Sequence, residues 1–389
     1  MGSTLDLTSN LPTELYRDIA KNMSQRFDRK TLLSLARVSS DWRHESQRIL
    51  FSNVHGVLLA SIHGYATLDT HTAFLHAVSM QPTRLGAYVR SYSQSNLACN
   101  PEAIDEYQKR FWKPNIDLWE LTRKALPAMV NLKHFSFSPI LRRHRIAEDL
   151  LSGCTFRLKT LIWKCEEDSK QTLIAFLRTQ PGLLHLEVGE PADNADLSWL
   201  PDDVCPNLIS VVCSLHYVDA VNRGRNVVAL RINGSDSDKP WEALQHSEVQ
   251  QSHLQRLKYL SLSNSWGACD IFGQTSLNIL VLELNYWNIE TIQSLIGLPK
   301  LRVLVLLANP ACEDADFRKE IALCSYRQLP TLEDILLRKW GADGSGEYQY
   351  WRISVSQELN GVEAQVVTTA VQLYTTHEIG IMWWAVYDV

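Results

Sequence analysis

Four histidines, His55, His63, His71 and His76, lie close together in sequence, and histidine is the side chain most often used as a metal ligand or a general base near neutral pH. His71 and His76 are five residues apart, about 140° round a helix, so they share no face, and no Cys/His spacing typical of zinc accompanies them. The eight cysteines, Cys99, Cys154, Cys165, Cys205, Cys213, Cys269, Cys312 and Cys324, form no C-x-x-C pair and no dense framework. That is the usage of free or buried thiols in a reducing compartment. Acidic groups gather at Glu166-Glu167-Asp168 and at Asp193, Asp196, Asp202 and Asp203, where helix N-caps and solvated faces account for them. There is no G-x-S-x-G, no glycine-rich phosphate loop and no local Cys/His signature. The expectation is solvated or capping histidines, no metal, no cofactor and no catalysis.

The elements that would carry any site are organised around Leu277 to Asn285, Leu-Asn-Ile-Leu-Val-Leu-Glu-Leu-Asn, whose pattern returns at Leu301 to Asn309. Both read Leu-x-x-Leu-x-Leu-x-x-Asn, which resembles a leucine-rich repeat: a short strand whose leucines enter a stack, closed by an Asn whose amide bonds the turning backbone of the next coil. Apolar residues at positions one, four and six occur nine times. They are Leu132/Phe135/Phe137, Leu158/Leu161/Trp163, Leu183/Leu186/Val188, Leu208/Val211/Cys213, Val227/Leu230/Ile232, Leu257/Leu260/Leu262, Leu277/Leu280/Leu282, Leu301/Leu304/Leu306 and Leu332/Ile335/Leu337. Their first residues are 19 to 31 apart, scattered around the repeat length. Helical patterns at Thr172 to Arg178, Thr291 to Leu298 and Asp314 to Tyr326 fall between them. A horseshoe with parallel strands on its concave side follows.

The first fifty residues read differently. Leu11-Pro12-Thr13-Glu14-Leu15 opens a helix, with Pro in the first turn and Glu14 favouring the dipole. Leu11, Leu15, Ile19 and Met23 make one stripe, Thr31 to Val38 is apolar on more than one face, and Ser39-Ser40-Asp41 offers an N-cap to a third helix carrying Trp42, Ile49, Leu50 and Phe51. Three short helices with more apolar surface than they can bury imply another chain. Leu11-Pro12-x-Glu14-Leu15, Ile19, Leu32-Leu33-x-Leu35, Val38-Ser39, Trp42-Arg43 and Leu50-Phe51 resemble an F-box of the form common in fungal chains, with Val54 closing the motif. The resemblance implies docking to a Skp-type adaptor, and through it to a cullin, with Leu11, Pro12, Leu15, Ile19, Leu32, Leu35, Val38 and Trp42 as contacts or supports. Met23 stands near the family's usual leucine, and Ser40 and Asp41 where Cys or basic residues are more frequent.

Between these parts, Thr72 to Met80 and Ile116 to Met129 read as helices and Leu85 to Tyr92 as a strand. After them, Tyr348 to Ser356 alternates like a strand, and Asn360-Gly361 is a hairpin turn into Val362 to Thr368. Trp351, Trp383 and Trp384 either cap the open end of the solenoid or line a ligand pocket. The expected division is an F-box-like domain over 8–54, a connector with an atypical first repeat over 55–130, leucine-rich repeats over 131–340 and a C-terminal cap over 341–389. The expected fold class is α/β.

Net charge is −5 over 389 residues with pI near 6.2, so neither nucleic acid nor anionic lipid is attracted by charge. No secretory signal or myristoylation pattern stands at Met1 to Asp6, and the longest apolar run, Val303 to Ala308, is far too short to span a bilayer. The expected compartment is the cytoplasm, the nucleus or both. Side chains between the inward leucines point out of the concave sheet. Tyr259, Ile279, Val281, Glu283, Val303, Val305, Leu307, Leu336 and Arg338 would meet a protein target there, unless the C-terminal tail folds back over the same apolar patch. The expected function is that of a non-catalytic substrate receptor in an SCF-type cullin-RING ubiquitin ligase. The other reading is a repeat scaffold outside any ligase whose N-terminal helices only cap it.

Overall fold

The computed structural model describes residues 12–23, 25, 28–57, 64–98, 118–140, 148–164, 170–188, 200–213, 221–232, 255–262, 277–307, 314–340, 348–356 and 365–371. The chain divides into two compact units, residues 1–135 with 139–157, and residues 136–138 with 158–389.

The first unit opens with α1 (Thr13–Lys21), α2 (Arg29–Leu35) and α3 (Ser40–Leu50). Pro12 stands at the N-cap of α1, and the Ser39 side chain caps α3 by accepting from the Trp42 amide at 3.2 Å. Tyr16, Ala20 and Leu32 are buried, and Tyr16 meets Trp42 edge to face at 4.9 Å. Strand β1 (Asn53–Val57) pairs in parallel with β2 (Ser91–Ala98), and α4 (Gly64–Met80), α5 (Leu118–Ala125) and α6 (Glu148–Leu151) complete the unit's helices among the described residues. An aromatic stack from Phe51 through Phe74, Tyr92 and Phe135 to Phe156, with centroids 5.7 to 6.4 Å apart, runs through its core. The strand expected over Leu85 to Tyr92 is a correction. Gly86–Tyr88 form a 3-10 turn, and the strand begins at Ser91, because the Arg90 and Ser91 amides both close onto the Ser52 carbonyl, at 2.8 and 3.0 Å.

A strand lies at each of the nine apolar triplets: β3 (His134–Ile140), which divides between the units, then β4 (Thr160–Trp163), β5 (His185–Val188), β6 (Ser210–Cys213), β7 (Ala229–Ile232), β8 (Tyr259–Leu262), β9 (Val281–Leu284), β10 (Val303–Leu307) and β11 (Asp334–Trp340). At β9 the frame is a correction: the ladder pairs Leu282 with Leu260 and Leu304, and Leu284 with Leu262 and Leu306, so the triplet there is Ile279/Leu282/Leu284 and not Leu277/Leu280/Leu282. From β4 to β11 every successive pair is parallel and in sequence order. The inward residues Leu161, Leu186, Val211, Leu230, Leu260, Leu282, Leu304 and Ile335 lie in one register row, all essentially inaccessible to solvent. Helices α7 (Lys170–Arg178), α8 (Ile289–Ser294) and α9 (Ala315–Gln328) fall between strands, α8 closed by a capping box of Asn288 and Thr291 and α9 by the Asp314 carboxylate. Strands β12 (Tyr348–Ser356) and β13 (Gln365–Val371) then add to β11 antiparallel. The hairpin turn at Asn360-Gly361, the Gly341 to Gly346 loop, Trp383 and Trp384 lie outside the described residues. So does most of the chain in the two shortest gaps between repeats.

Coils are also tied by side chains at a position not anticipated from the repeat pattern. Asn207 Nδ2 donates to the Pro181 carbonyl, Asn278 Nδ2 to that of Gln255 and Thr331 Oγ1 to that of Pro299, each at 3.0 Å. In all three the acceptor lies two residues before the first apolar residue of the preceding coil, where the turning backbone has a carbonyl left over by the strand ladder. The Asn expected to do this, Asn285, does something else, described below; Asn309 lies outside the described residues.

Candidate functional site

Two places gather the residues that the sequence singles out. On the helical module, Pro12, Leu15, Ile19 and Val38 are exposed, Leu15 and Ile19 by 43% and 42% and Val38 by 68%. Leu33, absent from the expected set, is 46% exposed and belongs with them. Leu32 is buried between the helices, Leu35 is half-buried, and half-buried Trp42 packs on Tyr16. These three therefore build the module rather than its surface. Leu11 lies outside the described residues. One signal in sequence separates the two groups: Leu32 and Leu33 are adjacent on one helix, and adjacent residues cannot share a face.

The second place is the face of the sheet expected to meet a target. Register sets its side chains in rows: Thr160, His185, Ser210, Ala229, Tyr259, Val281, Val303 and Asp334 in one, and Ile162, Glu187, Val212, Arg231, Ser261, Glu283, Val305 and Leu336 in the next. A third holds Leu307, Arg338 and Tyr350. Most of the expected contacts on this face are buried. Val281, Glu283, Val303, Val305, Leu336 and Arg338 are buried, and Tyr259 and Leu307 are partly accessible. Ile279, the ninth expected contact, is a correction: the register that pairs Leu282 with Leu304 sets Ile279 level with Leu301, as the buried first residue of its coil and not on this face. Ala229, Val281, Val303, Val305, Leu336 and Tyr350 pack into one apolar cluster, so Tyr350 of the hairpin shares the patch.

Charges cross that patch in a line. Arg231 on β7 reaches over the small Ser261 on β8, donating Nε to its hydroxyl at 3.2 Å, and places Nη2 3.1 Å from Glu283 Oε2 on β9. Strands two apart are about 10 Å distant, a span that a guanidinium stem covers only above a small residue. From the other side Arg338 pairs with the same carboxylate and donates to Asn285 Oδ1 at 2.5 Å. Asn285 thus serves an arginine on the sheet face. Glu283 is 1% exposed, and burying one carboxylate between two guanidinium groups satisfies the requirement that buried charge be paired.

Further along the first row, His185 Nδ1 lies 2.9 Å from Ser210 Oγ, both fully buried, and burial pushes the imidazole pKa down to about 4. A serine beside a histidine is the start of a nucleophile pair, but both are sealed from any substrate. In the first unit His71 corrects the expectation of a solvated or capping histidine. It is buried, its Nε2 is 3.0 Å from the Tyr92 hydroxyl, which donates to Gln94 Oε1 at 2.6 Å, and burial likewise lowers its pKa to about 4. His76 is exposed, while His63 lies outside the described residues. Burial raises the thiol pKa of Cys154, Cys205 and Cys213 to about 12, so these are inert apolar fillers. Among the described residues no three His, Cys, Asp or Glu side chains come together as a metal set, and no helix is long and apolar enough to cross a membrane.

The sequence matches no family model and no curated protein. Among solved structures the chain is similar to the crystal structure of a TLR13–ssRNA13 complex, at 14% identity and a TM-score of 0.26, over 68% of this chain and 32% of that one. The chain spans about a third of that protein's length, and a likeness at this level assigns neither a fold nor a function.

Proposed function

We propose that the chain is a non-catalytic substrate receptor of an SCF-type cullin-RING ubiquitin ligase: its first three helices form an F-box-like module that docks a Skp-type adaptor, and its leucine-rich repeats hold a protein target. The supporting observation is the split within α1 to α3. Tyr16, Ala20 and Leu32 are buried between the helices, while Leu15, Ile19, Leu33 and Val38 are left facing out with Pro12. Several exposed apolar side chains on so small a module are what a partner-binding surface offers. Catalysis would come from proximity: one end holds the ligase, the other the target, which raises effective concentration without any reacting group in this chain. Tyr259 and Leu307, the accessible members of the expected target set, are where a target would first touch the sheet; the six buried members on this face would have to be exposed first.

The test is co-expression with a Skp-type adaptor, followed by size-exclusion chromatography. The wild type should co-elute with the adaptor, and a Leu15→Asp, Ile19→Asp, Val38→Asp variant should elute alone with an unchanged circular dichroism spectrum. A folded wild type that elutes without adaptor overturns the proposal and leaves a repeat scaffold with a helical cap.

A further inference from the structure

Helix α3 is tied to the segment that follows α4 by contacts of several kinds. The Tyr88 hydroxyl lies 2.7 Å from His44 Nδ1, and the two rings meet edge to face at 5.4 Å. Arg84 Nη1 donates to Gln47 Oε1 at 2.5 Å while its Nε is held by Gln81 at 3.0 Å. His44, Gln47 and Arg48 lie three or four residues apart, on one side of α3. Beside them the buried Glu45 carboxylate accepts from Arg48 Nε at 2.7 Å and from Arg17 Nε of α1 at 3.4 Å. The turn that carries Tyr88 is itself pinned. Gly86 sits so close to the Ala128 carbonyl that no Cβ fits there, and Asn131 Nδ2 donates to the Ala87 carbonyl at 2.8 Å. The Arg90 and Ser91 amides then close on Ser52, directly after α3.

We infer that Arg84 and Tyr88 form a clamp that makes the three-helix module and the β1–β2 pair one cooperative body rather than a module on a hinge. The two ends of the clamp are fixed independently: Glu45 anchors α3 within the module, and Gly86 anchors the turn against the segment at Ala128. Neither can shift alone without breaking the ion pairs on Glu45 or opening a backbone contact. Local opening of the module therefore costs what opening of β1 and β2 costs. The clamp itself does not depend on the receptor proposal. Resting on that proposal is its consequence: an adaptor docked on α1 and α2 is held at a set angle to these strands, so the geometry of presentation is built in rather than searched.

Hydrogen exchange on the full chain tests the clamp. In the wild type the slowest amides of α3 and those at Ser91 to Gln94 should exchange together, within about threefold. A Tyr88→Phe, Arg84→Ala variant, which keeps the ring and removes both polar ties, should speed α3 exchange about tenfold or more while leaving β9 and β10 unchanged. Exchange of α3 ten times faster than β2 in the wild type overturns the inference, and so does a folded double variant with α3 unchanged. Adaptor co-elution of the same wild type reads the receptor proposal separately, and its absence leaves the clamp standing.

Discussion

Arg231 and Glu283, separated by 52 residues in sequence, meet at 3.1 Å because the strand between them offers Ser261 at the crossing point. Glu283 in turn neutralises Arg338, which is 6% exposed. Replacing Glu283 by Ala leaves two guanidinium groups facing one another in an apolar patch, and the expected loss is about 3–5 kcal/mol. Urea denaturation gives the number. Ser261→Leu, which keeps every charge but blocks the crossing, should cost about 1–3 kcal/mol through overpacking and the lost ion pair. A Glu283→Ala protein as stable as wild type contradicts the pairing.

Acid should weaken the fold through His185. Its pKa is lowered by burial from 6.5 to about 4 in the folded chain. Between those values the unfolded chain binds a proton that the folded chain refuses, so stability rises with pH across the window. It is complete above 6.5 and lost as pH falls toward 4, with about 2 kcal/mol gone by pH 5. Urea midpoints at about pH 7.5 and about pH 5 measure it. In a His185→Gln variant the difference between the two should shrink by about that amount, and an identical difference in both proteins refutes the assignment.

Gly86 allows close approach of two backbones, with the Ala128 carbonyl where a side chain would begin. Gly86→Ala should lower stability by about 1–3 kcal/mol, seen as a fall in melting temperature. Gly182→Ala is the control, since nothing lies within 4 Å of its added carbon. Equal melting of the two variants would mean that the approach is not as close as described.

Within the helical module, two leucines nearby in sequence should behave oppositely. Leu32 is fully buried, so Leu32→Ala should cost about 2–5 kcal/mol. Leu33→Ala, at an exposed site, should stay within about 0.5 kcal/mol of wild type. Chemical denaturation of both variants in the absence of any partner checks the pair.

The strands were legible because each repeats the same local instruction. Apolar residues at the fourth and sixth positions, as in Leu304 and Leu306, point to one side of any strand, whatever its neighbours do. The traffic across the sheet was not legible. Aligning Arg231, Ser261 and Glu283 in one row requires the register of three coils, and the intervening lengths vary too much to supply it. His71 was misread for a related reason: its partners Tyr92 and Gln94 come from a strand 21 and 23 residues later, and helical spacing cannot say which face of α4 that strand will meet. In Leu85 to Tyr92, apolar alternation suggested a strand, but the close contact at Gly86 favours a tight turn before the strand begins.

The hairpin has a consequence for how such a chain can change in descent. Between β4 and β11 every ladder is parallel, so a duplicated coil entering there finds the same ladder on both of its edges. Beyond β11 the ladders are antiparallel, and a copied coil inserted there would meet strands running the wrong way. Inheritance can lengthen or shorten the array upstream of β11, while its last two ladders are closed to such copying.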